Sequence, residues 1–252
     1  MRHSTLIPAD LLRNVVAAEP ARPLVTFYDD ASGERVEFSA KTFDNWVAKT
    51  ANLLVDGLDA EPGETATLAL PPHWQTAVWL FACWSAGVTA EVVAEEPMAA
   101  VRLAGRETVG LSLHALGAPL QMCPPGVVDY ALEVRSYGDR FAPYAPIDPD
   151  APALITDTGG VTKTTLSGKE LVRQGTQAAT DWGLDARSRV LVDMRFTTLS
   201  GLLAGLIAPI AVGGSVIICR NLDKVLMERR ISVEHVTAVA GDTSSGSVHR
   251  LA

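Results

Sequence analysis

Between Ile155 and Ser167 the chain reads I-T-D-T-G-G-V-T-K-T-T-L-S, which gathers hydroxyls, glycines and one ammonium group into a single short stretch. Backbone N–H groups of a Gly-rich turn can converge on phosphate oxygens, and Thr hydroxyls and a Lys ammonium add donors and charge. Thr156, Thr158, Gly159, Gly160, Thr162 and Lys163 are therefore the candidate nucleotide- or phosphate-binding residues. The same composition also suits a polar turn between two strands, because Asp157, Gly159 and Gly160 are ordinary turn residues.

Other constellations carry less. The histidines His3, His73, His114, His235 and His249 show no i,i+4 pairing and no neighbouring Cys, so no metal site is expected. No G-x-S-x-G elbow occurs, and Leu199-Ser200-Gly201 is only a fragment of one. His73 follows Pro71-Pro72 at a helix start and reads as a surface cap neighbour. Glu95-Glu96 reads as a solvated loop, since adjacent side chains do not converge on one point. Cys83, Cys123 and Cys219 are widely separated and read as buried thiols in a reducing cytoplasm.

These residues must be positioned by a chain that is 48% hydrophobic and 20% charged, a balance that excludes disorder and predicts a packed core. A net charge of −8 with no Lys/Arg block argues against nucleic acid as a partner. The N-terminus has no sustained apolar run, so no signal peptide is expected. The uncharged stretch Thr197 to Cys219 is interrupted by Pro209 and Gly213-Gly214, and it reads as a buried helix, turn and strand, with no membrane span.

Periodicity supplies the elements. A hairpin is expected over Leu24 to Phe38, followed by a helix capped by Ser39 and a strand from Thr65 to Leu70. A helix apolar nearly all round runs from Trp74 to Ala86 and closes at Gly87, and a strand follows at Val88 to Val93. Next come a helix around Met98 to Arg106, a strand at Thr108 to Leu113 and an amphipathic helix near Val127 to Val134. Prolines at 143, 146, 149 and 152 mark an extended connector and divide the chain into α/β subdomains at 1–145 and 146–252. Ser167-Gly168-Lys169-Glu170 fits a capping box, so a helix is expected from Ser167 to Trp182. Strands at Arg189 to Val192, Ser215 to Cys219 and Val236 to Val239, with a helix near Ser200 to Val212, complete a layered α/β pattern of largely parallel strands.

The order and flavour of these pieces resemble the N-terminal part of the adenylate-forming superfamily, which includes acyl-CoA synthetases, luciferases and peptide-synthetase adenylation domains. The resemblance is carried by Val36 to Pro71, with its E-P-G-E turn, by His73 to Val93, with its closing A-G, and by S-R-V-L-V-D-M-R-F and G-L-L-A-G-L-I-A-P-I-A-V-G-G-S-V-I-I. It implies a layered sandwich like the front half of an acyl-CoA synthetase. It also implies that Thr156 to Lys163 stands where relatives wrap ATP with Mg²⁺, and that Phe196, Thr197 and Thr198 line an acyl pocket. The family loop reads approximately [ST]-[SG]-G-[ST]-T-G-x-P-K-G. In this chain the glycines are displaced, P-K-G has become Thr162-Lys163-Thr164, and Asp157 adds a carboxylate that would repel a triphosphate by about 1 kcal/mol at contact in water. No counterpart of the family's adenine, ribose and catalytic-lysine segments is recognisable.

The expectation is thus a non-catalytic binding or regulatory module with no catalytic residues of its own and AMP or ATP as a doubtful ligand. Two alternatives stand beside it: half of an ATP-dependent acyl-adenylating ligase completed by a partner chain, and a stand-alone phosphate-ligand-binding α/β protein. A homodimer or a protein partner is expected over the face that the family's second half would cover.

Overall fold

Residues 6–157, 163–241 and 249–251 are described by the computed structural model of the chain. The first element, helix α1 (Pro8–Ala18), was not foreseen; it has proline in its opening turn, and Asp10 accepts from the Ile7 amide. The expected hairpin follows as β1 (Pro23–Asp29) and β2 (Glu34–Ser39). Ser39 accepts from the Thr42 amide and starts α2 (Ala40–Asn52), which widens into a π-turn over Leu53–Gly57. β3 (Thr65–Ala69) leads to α3 (Trp74–Ala86), and β4 (Thr89–Val92) follows. Gly87 ends α3 at φ 74°, a backbone conformation that a side chain would strain.

One expected helix is a strand pair instead, and another is helical only in its second half. The stretch 98–106 forms β5 (Ala100–Leu103) and turns at Gly105 into β6 (Thr108–Gly110). Val101 and Leu103 are buried while Arg102 points outward, a period of two that the preceding run of small apolar residues disguises. Near 127–134 the chain first pairs as β7 (Val127–Asp129), and Asp129 then accepts from the Ala131 and Leu132 amides to start the one-turn α4 (Tyr130–Glu133). Beside β7, Cys123 is exposed, contrary to expectation, because its Pro124-Pro125-Gly126 turn lies at the sheet edge.

Beyond the connector, β8 (Pro152–Asp157) and β9 (Lys163–Ser167) pair antiparallel, and Ser167 caps α5 (Gly168–Asp181). After β10 (Arg189–Val192), a bent helix runs through α6 (Leu199–Leu202), a π-turn over Leu203–Ile207 and α7 (Ala208–Ala211). The π-turn lies where Pro209 cannot donate its share of the helical ladder. β11 (Ser215–Arg220), helix α8 (Lys224–Val233), also unforeseen, β12 (Ala238–Ala240) and the short β13 (His249–Arg250) complete the described chain.

These strands form two sheets. The first has the order β13-β12-β10-β11-β1-β2 and is parallel except for the β1–β2 hairpin at one edge; the second has the order β7-β6-β5-β3-β4-β8-β9, in which β5 runs antiparallel to both neighbours and β8–β9 close one edge as an antiparallel pair. Each sheet draws strands from both sides of the proline-rich connector, so the segments 1–145 and 146–252 share both sheets. Helix α3 is buried on every side; Trp74, Trp79 and Phe81 have no exposed surface, and each contributes ~1.5–3 kcal/mol by burial. Trp84 donates to the Ala153 carbonyl at 2.9 Å and ties α3 to β8. Among the described residues, no helix is long and apolar enough to cross a membrane.

Helix α8 covers the other face of the first sheet. Its closing residue Glu234 accepts from Tyr28 Oη at 2.5 Å, from Arg35 Nε at 2.9 Å and from Arg189 at 2.5 Å. Burial pushes this carboxyl up, but the three hydrogen bonds outweigh it and hold the group at about 2. A depressed carboxyl stabilises the fold above its unfolded value and loses that contribution as protons bind on the way down. Glu234 is therefore expected to contribute ~2–3 kcal/mol to the loss of stability between pH 5 and pH 2, and the loss should be smaller by about that amount in Glu234→Gln. Urea unfolding across that range checks it; parallel curves for the two proteins would reject the assignment.

Candidate functional site

A ligand crevice in an open α/β sheet forms where the connections from two adjacent strands leave toward opposite faces. In the first sheet that point lies between β10 and β11. β10 continues through the bent helix, whose π-turn and α7 pack on α5 and whose α7 also packs on α1, whereas β11 continues through α8 on the other side. The carboxyl ends of these strands, with the Leu70-Pro71-Pro72 turn after β3, enclose a cavity of about 360 Å³. Its polar walls include Arg195, Arg220 and Asn221, and its apolar wall includes Phe196, which is buried against Gly205. A second cavity of about 550 Å³ adjoins it and extends toward Met98, Leu111 and Leu120.

Local structure fixes this rim. Thr198 accepts from the Gly201 amide at 3.2 Å and caps α6, while its hydroxyl reaches the Arg195 carbonyl. Asn221 takes φ 51° directly after Arg220 and donates to Asp29 at 2.9 Å, which anchors the bend that presents the Arg220 guanidinium. Behind Arg220, His73 is fully buried, contrary to the surface position expected of it. Its Nδ1 accepts from the Gln75 amide at 3.1 Å, and its Nε2 has no hydrogen-bond partner. Burial, reinforced by the charge of Arg220, pushes this imidazole down to about 3 and keeps it neutral.

The structure brings together the two regions singled out from the sequence. Thr156 donates to the Thr197 carbonyl at 2.9 Å, the Asp157 amide donates to the same carbonyl at 3.2 Å, and Asp157 bridges Thr198. The stem of the Thr/Gly turn therefore stands on the cleft rim. Phe196 and Thr197 line the cavity, and Thr198 serves as the α6 cap beside it. Thr158, Gly159, Gly160 and Thr162 lie outside the described residues. Lys163 pairs in register with Asp157, but its ammonium lies on the outward face of the second sheet, 2.5 Å from Glu91. That ion pair, with a further hydrogen bond from Thr67, holds the Glu91 carboxyl below its usual range.

Sequence reasoning did not single out Arg220, and it read Glu95 only as part of a solvated loop. Arg220 ends a buried strand, and Glu95 reaches it at 3.5 Å while its neighbour Glu96 turns away to Arg102 at 2.6 Å. The available signal was a charged residue at the carboxyl end of an apolar strand, which is where such crevices form. Among the described residues, no group of three or more His, Cys, Asp or Glu is arranged to hold a metal ion.

A TIGR03089 family protein of Mycobacterium tuberculosis (strain ATCC 25618 / H37Rv) is 35% identical over 255 residues, covering 95% of this chain and all of that protein. The chain belongs to the TIGR03089 family. No protein-family profile matches it. This TIGR03089 chain is also 37% identical over 83 residues to the sulfoacetate–CoA ligase of Cupriavidus necator, covering 31% of the chain and 16% of the ligase. Its fold matches the acyl-CoA synthetase of Brucella canis at TM-score 0.74 and 12% identity, over 93% of this chain and 47% of that one. The anthranilate CoA ligase AuaEII with anthranoyl-AMP matches at TM-score 0.70 and 14% identity, over 96% and 50%. The TIGR03089 chain thus has the α/β fold of the front portion of AMP-binding, adenylate-forming ligases, and it spans about half the length of these solved structures.

Proposed function

We propose that this chain is a non-catalytic binding or regulatory module that keeps the acyl-CoA-synthetase scaffold and uses the crevice at the ends of β10 and β11 to hold a small organic anion. The observation that carries this reading is a cleft with a guanidinium and an apolar wall, while the one lysine of the Thr/Gly turn is held away from it by Glu91. A triphosphate cradled by the turn itself would lack the charge-assisted donor that this ammonium would otherwise supply. Asp157 at the turn's base adds negative charge where a triphosphate would lie.

A second reading, half of an ATP-dependent acyl-adenylating ligase completed by a partner chain, draws support from the contact of Thr156 and Asp157 with Thr197 and Thr198. That contact sets the turn's stem beside the cleft. Calorimetric titration with ATP and Mg²⁺ separates the readings. The binding module is expected to give no measurable heat up to millimolar ATP, in wild type and in Lys163→Ala alike. Micromolar affinity that weakens at least ~10-fold in Lys163→Ala would overturn the proposal in favour of the ligase half. AMP or inorganic phosphate binding without Mg²⁺ would favour a stand-alone phosphate-ligand protein.

A further inference from the structure

The two cavities meet at one partition. Pro71, Glu95 and Arg220 line both of them, and the partition is closed by the ion pair between Arg220 and Glu95 at 3.5 Å. The two partners are held very differently. Arg220 sits at the end of a strand paired with β1, its carbonyl accepts from the Asp30 amide, and the Asn221 bend fixes the chain immediately after it. Glu95 stands in the link between β4 and β5, with its side chain 57% exposed against 29% for Arg220. The neighbouring His73 imidazole is neutral and presents no competing cation.

We infer that Glu95 is an internal placeholder on Arg220, a latch that divides the cleft and sets the length of anionic ligand it admits. This rests on the ligand-binding reading above. Glu95 supplies the carboxylate that a ligand would otherwise bring, so a ligand carboxylate replaces it charge for charge. Once Glu95 swings out, the first cavity opens into the second, whose far wall of Met98, Leu111 and Leu120 suits an apolar tail. An exposed ion pair of this kind is weak, so a ligand able to fill both cavities can displace it. A short ligand lies within the first cavity with its carboxylate on Arg195, which lines that cavity alone, and leaves the latch closed.

The test uses butyrate and decanoate as probes, titrated into the full chain by calorimetry. Glu95→Gln is expected to tighten decanoate by ~3–5-fold and to change butyrate by less than ~2-fold. Glu96→Gln removes a nearby charge of the same sign that is held by Arg102, and it should give less than half the decanoate gain. Equal gains from the two variants would reduce the effect to a general field and overturn the latch. Butyrate and decanoate binding in wild type with no gain for decanoate in Glu95→Gln would overturn the latch while leaving the cleft reading intact. Failure of both probes to bind wild type and variant would overturn the cleft reading and the latch with it. Thermal unfolding of Glu95→Gln should match wild type, which separates a change in affinity from a change in folding.

Discussion

Replacing the buried Arg230 with methionine is expected to destabilise the chain by ~3–5 kcal/mol. Arg230 and Asp30 each have only 6% of their side chains exposed, and the guanidinium binds both carboxylate oxygens. The same guanidinium stacks over the Tyr28 ring at 4.0 Å and reaches the buried Cys219 sulfur at 3.6 Å. It thereby joins α8 to the β1–β2 turn and to β11. Methionine fills much of the volume but leaves Asp30 as a buried anion, still accepting from the Asp223 amide yet without a countercharge. A buried pair need not stabilise relative to an apolar replacement, but removing one partner costs the stranded charge. The companion substitution Asp30→Asn should therefore recover most of the loss. Urea unfolding of the two single variants and the double variant measures it, and simple additivity would reject the coupling.

Gly201→Ala is expected to cost ~2–3 kcal/mol and to collapse the cleft rim. A Cβ at this position would be driven into the Arg195 carbonyl, a backbone atom that cannot rotate aside, and it would crowd the Thr198 hydroxyl that caps α6. Relief requires the 195–201 turn to open, which moves Phe196 and Arg195 together. Differential scanning calorimetry should show the lowered transition. A transition unchanged from wild type would mean that the turn adapts freely and does not fix the cavity.

Much of this architecture is legible in the sequence where local chemistry decides it. The Leu24 to Phe38 hairpin, the Ser39 and Ser167 caps, the all-round apolar α3 and its closing Gly87 follow from side-chain period, hydroxyl acceptors and a glycine stop. The failures lie where the local signal is mute. The run at 98–101 has no polar residue to betray its period, so a strand resembles a helix until Arg102 is seen to point outward. Helix α8 was missed because its buried face carries Arg230 in place of an aliphatic residue, which erases the amphipathic contrast. The cleft was only half visible. Thr156 and Thr197 were both singled out, but the contact between them, and that between Glu95 and Arg220, join distant segments through strand order, which no local pattern encodes.

That strand order also governs how the molecule can be made. The first hairpin emerges from the ribosome early, yet its parallel neighbour, Ser215–Arg220, is synthesised roughly 10–40 s later at ordinary elongation rates. Throughout that interval Leu24, Val25 and Phe27 lack their partner, so the nascent polypeptide presents an unmatched sticky border until Ser215–Arg220 arrives.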